Sequence, residues 1–233
     1  MTLMARRLNV PVLCLVLCGV GGSGRAAPRA ASAATQQVEP LDLAAILRRV
    51  GQTYAGMPAY HDRGVSVVRW SRHPELNSTQ RFTTHFERGR YFSWVSDMGQ
   101  TDDYRITFDG VSVVTQSHGR RKERPDLGTA IAGATGISDL AAFWIPTLLM
   151  PEMIPTAGLL PNFRRASSMT RLADQVAGDQ PCFVLRAQDD LGDVRVWISA
   201  RDFLIRRIEH RNAGRDELTT TDYTPQTDIS LGP

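Results

Sequence analysis

The sequence predicts an α+β domain in which one curved antiparallel sheet of about 10–11 strands carries an N-terminal helix and a central helical insert. Three observations favour this fold class. The chain has 233 residues, of which 42% are apolar, so it is long enough to form one domain with a core of ordinary size. Short alternating segments follow one another without helices between them, which is typical of antiparallel pairing. A sheet of so many strands with one apolar face is expected to curl, and the helices are available to cover its concave side.

The first 33 residues are typical of a secretory signal peptide. An arginine pair precedes the uncharged apolar run 10–20, and small residues place the expected cleavage after about residues 26–33. The apolar run is shorter than the roughly 20 residues that a membrane-spanning helix needs. An alternative is a lipoprotein signal, which would leave the protein lipid-anchored at Cys18. We therefore expect residues 34–233 to form a single domain in the periplasm.

The net charge of +3 comes from the leader and not from the domain. Four of the 27 lysines and arginines precede residue 34, where no acidic residue occurs, so 23 basic residues accompany 24 acidic ones in the rest of the chain. A nucleic-acid-binding domain would carry its own excess of positive charge. The composition therefore argues against nucleic acid as a partner.

The N-terminal half of the domain is predicted to be one helix followed by strands. Apolar residues in 43–54 recur at helical spacing and predict an amphipathic helix that ends before Pro58. Five strands are predicted between residues 65 and 115, and Asp109-Gly110 predicts a tight hairpin between the last two. One face of this strand group is apolar and rich in aromatic residues. The basic segment 118–124 is predicted to be a solvated loop.

The helical insert is predicted at about residues 126–160, where glycine and proline break an apolar stretch into two or three short helices. Its apolar residues fall on more than one face, so the insert must be buried or must cover an apolar surface. About five further strands are predicted between residues 170 and 223. Cys182, the one cysteine beyond the leader, begins an apolar strand pattern, which favours a buried thiol over a reactive one.

No pattern that carries catalytic chemistry stands out in the sequence. The five histidines are scattered singly and no cysteine pair occurs beyond the leader, which argues against a metal site. His61 and Asp62 are assigned to a loop. A nucleophile elbow, a phosphate-binding loop and a dinucleotide fingerprint are missing. We therefore predict no enzymatic activity and no cofactor, since a hydrolase would need a polar cluster inside the fold with shifted pKa values.

Four stretches, which together span nearly the whole chain after the leader, carry a resemblance to a known family. They are the opening helix at 44–57, the paired strands at 91–94 and 106–113, the insert at 128–151, and the closing strands at 197–208 and 219–225. The pattern resembles the LolA-like family of periplasmic outer-membrane lipoprotein-sorting proteins, within an uncharacterised branch of that family.

The resemblance implies an incomplete antiparallel barrel with helices as a lid over a hydrophobic cavity. In the family, the cavity shields the acyl chains of a lipoprotein that crosses the periplasm. An inner-membrane transporter loads the carrier and an outer-membrane receptor unloads it, without a cofactor or a metal. The resemblance thus implies a monomeric, non-enzymatic carrier of lipid or acylated lipoprotein.

The candidate lipid-binding residues are aromatic and apolar residues of the first strand group and of the insert. From the sheet they are Phe82, Phe86, Phe92, Trp94, Tyr104, Ile106 and Phe108. From the insert they are Phe143, Trp144, Leu148, Leu149 and Met153. We expect these two groups to line the cavity from opposite sides. An alternative function for the same fold is an envelope sensor or scaffold that acts through protein contacts and transports nothing.

Overall fold

The computed structural model describes residues 41–97, 103–154, 168–189, 192–212 and 214–226. By its internal contacts the chain divides into Met1–Gln37 and Val38–Pro233, and all described residues belong to the second part. The predicted leader, the possible lipid anchor at Cys18 and the C-terminal tail lie outside the described residues. No helix within the described ranges is long and apolar enough to cross a membrane.

The described elements are one helix, six strands, two helices and five strands, in the order that the sequence predicts. The α-helices are α1 (Leu43–Gly56), α2 (Leu127–Ala134) and α3 (Ala141–Leu149), and a short 3-10 helix spans Pro74–Leu76. The strands are β1 (Ala59–Trp70), β2 (Ser78–Glu87), β3 (Tyr91–Asp97), β4 (Tyr104–Phe108), β5 (Val113–Ser117), β6 (Arg120–Arg124), β7 (Ser168–Ala177), β8 (Gln180–Asp189), β9 (Gly192–Ser199), β10 (Ile205–Asn212) and β11 (Glu217–Gln226).

All eleven strands form one antiparallel sheet in the order β6-β5-β4-β3-β2-β1-β11-β10-β9-β8-β7. The first and last strands pair at the centre, and β6 and β7 are the two edges of a sheet that does not close. The chain segment that contains α2 and α3 connects these two edge strands. The predicted α+β class with one open antiparallel sheet is therefore confirmed.

Helix α1 packs on the sheet through one apolar face. The Asp42 side chain caps its N-terminus by accepting a hydrogen bond from the Ala45 backbone at 2.6 Å. Ile46, Val50 and Tyr54 recur every four residues and are fully buried. They join residues of α2, α3 and both halves of the sheet in one apolar core. We call the face of the sheet that contributes to this core the covered face.

The first strand differs from its prediction in both length and orientation. It begins at Ala59 and not near Val65, so His61 and Asp62 lie within a strand and their assignment to a loop is wrong. Every second residue of β1 is buried, and few of these residues are apolar. They are Tyr60, Asp62, Gly64, Ser66 and Val68. Such residues are tolerated on a buried face because they pair with one another: the hydroxyls of Ser66 and Thr221 are 3.2 Å apart.

The basic segment also differs from its prediction, because residues 120–124 form the edge strand β6 and not a loop. This strand pairs with β5, with Arg124 opposite Val113 and Arg120 opposite Ser117. His118 and Gly119, both with positive φ, make the turn between the two strands. An edge strand has no apolar partner on its outer side, and its charges oppose pairing with another chain. Because residues 120–124 show no apolar alternation, the sequence pattern did not predict this strand.

Candidate functional site

The candidate residues of the sheet share the covered face. Strand register places Phe92 between Phe86 and Phe108, and Trp94 opposite Ile106. The six that are buried are at most 5% exposed, and Phe108 is partly buried against the same core. The buried six are Phe82, Phe86, Phe92, Trp94, Tyr104 and Ile106. Strand alternation thus brings these side chains together, as the pattern of residues 82–108 predicts.

The candidate residues of the insert pack on the same core from the opposite side. Trp144, Leu148 and Leu149 are buried in it, and Phe143 is partly buried against it. Met153 lies beyond α3 and is 37% exposed, so it contributes least to this contact. We call residues 127–154, which contain α2 and α3, the cover. In this structure the cover and the covered face are in direct apolar contact.

The turn between α2 and α3 is held in an unfavourable backbone conformation. Asp139 and Leu140 have φ values of 47° and 70°, which place two consecutive non-glycine residues in the left-handed region. Each such residue costs about 1–2 kcal/mol. Helix α3 then begins at Ala141. Its N-cap residue Leu140 provides no side-chain hydrogen bond, and the helix contains Pro146, which has no backbone N–H to donate. Burial, with a smaller contribution from the nearby Glu217, raises the pKa of Asp139 to about 6.

Two polar contacts join the cover to the sheet side, one at the turn between α2 and α3 and one near the C-terminal end of the cover. Gln80 Nε2 donates a hydrogen bond to the Ile137 carbonyl at 3.3 Å. Arg88 and Glu152 form an ion pair at 3.7 Å, and the Glu152 side chain is 60% exposed. An exposed pair of this kind is worth at most about 1 kcal/mol. Apolar packing, which has no directional requirement, therefore provides most of the attraction between the cover and the covered face.

The covered face also contains a buried carboxylate that the sequence analysis did not predict. Asp62 is fully buried and accepts hydrogen bonds from the Tyr60 hydroxyl at 2.7 Å and the Thr84 backbone at 3.1 Å. Burial raises the pKa of Asp62 to about 6. Beside it, the Tyr54 hydroxyl accepts a hydrogen bond from the Ile205 backbone at 3.0 Å. Asp is typical of turns and surfaces, and the valines at 65 and 67 alternate on the other side of β1, so no local signal indicates that Asp62 is buried.

This polar cluster fulfils one condition set for a hydrolase, but its contacts are those of a structural network. Tyr54, Tyr60, Asp62 and Thr84 are at most 2% exposed. Both carboxylate oxygens of Asp62 are engaged by protein donors. The cluster links α1 to β1 and β10 across the core. Within the described ranges, no three His, Cys, Asp or Glu residues are grouped as metal ligands would be.

Cys182 lies on the opposite face of the sheet, in a small second cluster with Val184 and Trp197. It is 1% exposed, its thiol donates to the Gln180 carbonyl at 3.4 Å, and burial raises the thiol pKa. These features are those of an inert structural cysteine, in agreement with the sequence-based interpretation.

The opposite face also carries a groove of about 480 Å³ near the centre of the sheet. It runs over β11, β1, β2 and β3, and its charged residues are of both signs. They are Arg63, Arg81, Asp97 and Asp222. Asp222 is already paired with Arg207 at 2.6 Å. The groove is therefore a mixed-charge surface and differs in chemistry from the covered face.

A scan against protein-family models finds no match for this chain, and a search of curated proteins also finds none. Among solved structures, the chain is similar to a LolA superfamily protein from Nitrosomonas europaea, with 11% identity, a TM-score of 0.36, and coverage of 81% of this chain and 94% of that one. It is also similar to the lipoprotein LppX of Mycobacterium tuberculosis, with 8% identity, a TM-score of 0.44, and coverage of 82% and 100%. A third is a putative outer-membrane lipoprotein-sorting domain from Vibrio parahaemolyticus, with 10% identity, a TM-score of 0.36, and coverage of 79% and 93%. At these values the similarities identify no function.

Proposed function

We propose that this protein is an exported, non-enzymatic carrier that binds the acyl chains of a lipid or lipoprotein between the covered face and the cover. One observation carries the proposal. An aromatic sheet face and a two-helix cover meet in a single apolar core, and the cover is apolar on several sides while its turn at Asp139 and Leu140 is strained. A cover held in this way can separate from the sheet if another apolar surface takes its place.

An acyl chain is a suitable replacement because hydrophobic contact is not directional. Burial of a methylene group contributes about 0.8 kcal/mol, so a long chain compensates for the contacts that the cover loses when it moves. The polar contacts at Ile137 and Glu152 are the ones that such a movement breaks. Strain of about 1–2 kcal/mol per left-handed residue at the α2–α3 turn lowers the free energy needed for that movement.

The test is uptake of a long-chain fluorescent fatty acid by the purified mature protein, with the variant Leu148→Glu. Leu148 is 3% exposed and belongs to the cover. We expect the wild type to bind the probe, and Leu148→Glu to bind it at least about tenfold more weakly, because a carboxylate beside an acyl chain loses its hydration. Val176→Glu is the matched control, because Val176 is 68% exposed on the edge strand β7 and does not belong to the apolar core that the cover joins.

Urea titration of both variants separates binding from folding. Binding that falls much further than the folded fraction supports a site beneath the cover. A loss of binding that only follows the unfolded fraction would make Leu148 an ordinary core residue. A wild-type protein that takes up no probe contradicts the proposal.

We also propose that the cargo is an acylated lipoprotein sorted to the outer membrane, with an inner-membrane transporter and an outer-membrane receptor as partners. The sequence resemblance and the predicted leader support this more specific role. It requires that a triacylated lipopeptide displaces the fluorescent probe. Binding of protein partners without any lipid would instead favour the sensor or scaffold function.

A further inference from the structure

Two hydrogen-bond donors on the covered face have no partner. The Tyr223 hydroxyl and the Trp94 indole N–H are both buried, and neither has a hydrogen-bond partner within the described part of the chain. Their residues are 4% and 0% exposed. A buried donor that stays unpaired usually costs about 1–3 kcal/mol, so such groups call for a specific explanation.

The rings that carry the two donors both pack against the same aromatic ring, that of Phe82. The ring centroids of Phe82 and Trp94 are 5.8 Å apart and nearly stacked, and those of Phe82 and Tyr223 are 5.7 Å apart and edge-on. Strand register places Gly64 between Phe82 and Tyr223 in one row across the sheet. A Cβ atom at Gly64 would overlap the Phe82 ring, so the ring occupies the space that a side chain would fill.

The chemistry of this pair selects a ligand that accepts hydrogen bonds. The indole N–H can only donate. Burial, together with the nearby charge of Asp62, raises the pKa of Tyr223 far above its ordinary value, so its hydroxyl keeps its proton. The same proximity to Asp62 disfavours an anionic ligand group, because two negative charges would lie close together in a site without solvent. A neutral carbonyl oxygen meets both conditions.

We infer that Tyr223 and Trp94 form a carbonyl-binding subsite, which receives the ester carbonyl of a diacyl lipid when Phe82 turns away from Gly64. This inference rests on the proposed carrier function and adds the linkage chemistry of the cargo. Acyl chains would then pack against the aromatic part of the covered face, with their ester groups fixed at its polar centre. A subsite of this kind distinguishes ester-linked lipids from ether-linked lipids, which have the same chains but lack the carbonyl oxygen.

The experiment compares the binding of two phosphatidylglycerols of equal chain length, one with ester-linked chains and one with ether-linked chains. We expect the wild type to bind the ester lipid about three- to tenfold more tightly, which is the range of one neutral hydrogen bond. The Tyr223→Phe and Trp94→Phe variants should each reduce this ratio, and the double variant should abolish it. Tyr91→Phe is the matched control, because strand alternation places Tyr91 on the opposite face of β3, where its ring packs against His85.

The possible outcomes separate this inference from the carrier proposal. Equal binding of both lipids by the wild type refutes the subsite and leaves the carrier function standing. A preference that persists in the double variant also refutes it. If neither lipid binds, both the carrier function and the subsite fail. A stability measurement gives an independent check, since Tyr223→Phe removes an unpaired hydroxyl and should not destabilise the ligand-free protein.

Discussion

Replacing Asp62 by asparagine is expected to change how the stability of the protein depends on pH. Asparagine has nearly the same shape and can keep both contacts, by accepting from the Thr84 backbone and donating to the Tyr60 hydroxyl. It has no proton to release near neutral pH. The substitution therefore removes the titration of one buried group and leaves the surrounding packing in place.

The sign and the size of the effect follow from burial. The pKa of Asp62 is raised from an ordinary value of 3.8 to about 6. Between these values the folded protein still holds a proton that the unfolded chain has released, so the contribution of Asp62 to stability is most favourable below pH 4 and is lost as the pH rises through 6. The raised pKa corresponds to a decrease of about 3 kcal/mol in the free energy of unfolding, and most of this decrease occurs between about pH 4 and pH 8.

The assay is urea unfolding of the wild type and Asp62→Asn at several pH values across that window. The free energy of unfolding of the variant, minus that of the wild type, should rise by about 2–3 kcal/mol from pH 4 to pH 8. This difference cancels contributions common to both proteins, such as that of Asp139. Asp126→Asn is the control that should show almost no change across this window, because the backbone N–H of Thr129 lowers the pKa of this exposed helix cap and its titration lies below pH 4. A pH-independent difference for Asp62→Asn would refute the assignment of a buried, desolvated carboxylate.

Two further substitutions test the packing around the site. Gly64→Ala should destabilise the protein by about 1–3 kcal/mol because the new methyl group meets the aromatic ring packed over it, whereas Gly56→Ala, with open space around it, should not. Equal melting temperatures for the two would contradict the close approach at Gly64. Tyr54→Phe should lower the free energy of unfolding by about 1–3 kcal/mol because it leaves the Ile205 N–H buried without a hydrogen-bond partner. The Tyr223 hydroxyl has no hydrogen-bond partner within the described residues, so a calorimetric comparison should show a loss of stability for Tyr54→Phe and not for Tyr223→Phe.

The aromatic half of the sheet could be predicted because its pattern is simple. In 104–108 apolar and polar residues alternate strictly, and in 82–86 the two phenylalanines mark one side of the strand although Thr84 between them is polar. The pattern therefore indicates both the strand and the side that is buried. The Asp109-Gly110 pair does lie in the connection between β4 and β5, where Gly110 has a φ of 93°. The connection is longer than the predicted tight hairpin, because it also contains Val111 and Ser112, and Val111 is 90% exposed. Local rules therefore located the strands and the turn but not the length of the turn.

The centre of the sheet could not be predicted, since it departs from those rules. In β1 the apolar Val65 and Val67 face away from the core while Asp62 and Ser66 face inward. Their burial depends on partners far away in the chain, such as Thr221 on the last strand. The edge strand at 120–124 was not predicted for a different reason. It has no buried face, so its sequence shows no hydrophobic periodicity. Both failures reflect long-range pairing, which a local pattern does not contain.

The most direct test of lipid carriage is native mass spectrometry of the mature protein, released from the periplasm of expressing cells without detergent. We expect a stoichiometric mass increase over the bare chain, and lipid analysis of the bound material should identify an ester-linked acyl species. A bare mass that stays unshifted after addition of phosphatidylglycerol and of a triacylated lipopeptide would contradict the carrier function. That result would favour a module that acts through protein contacts alone.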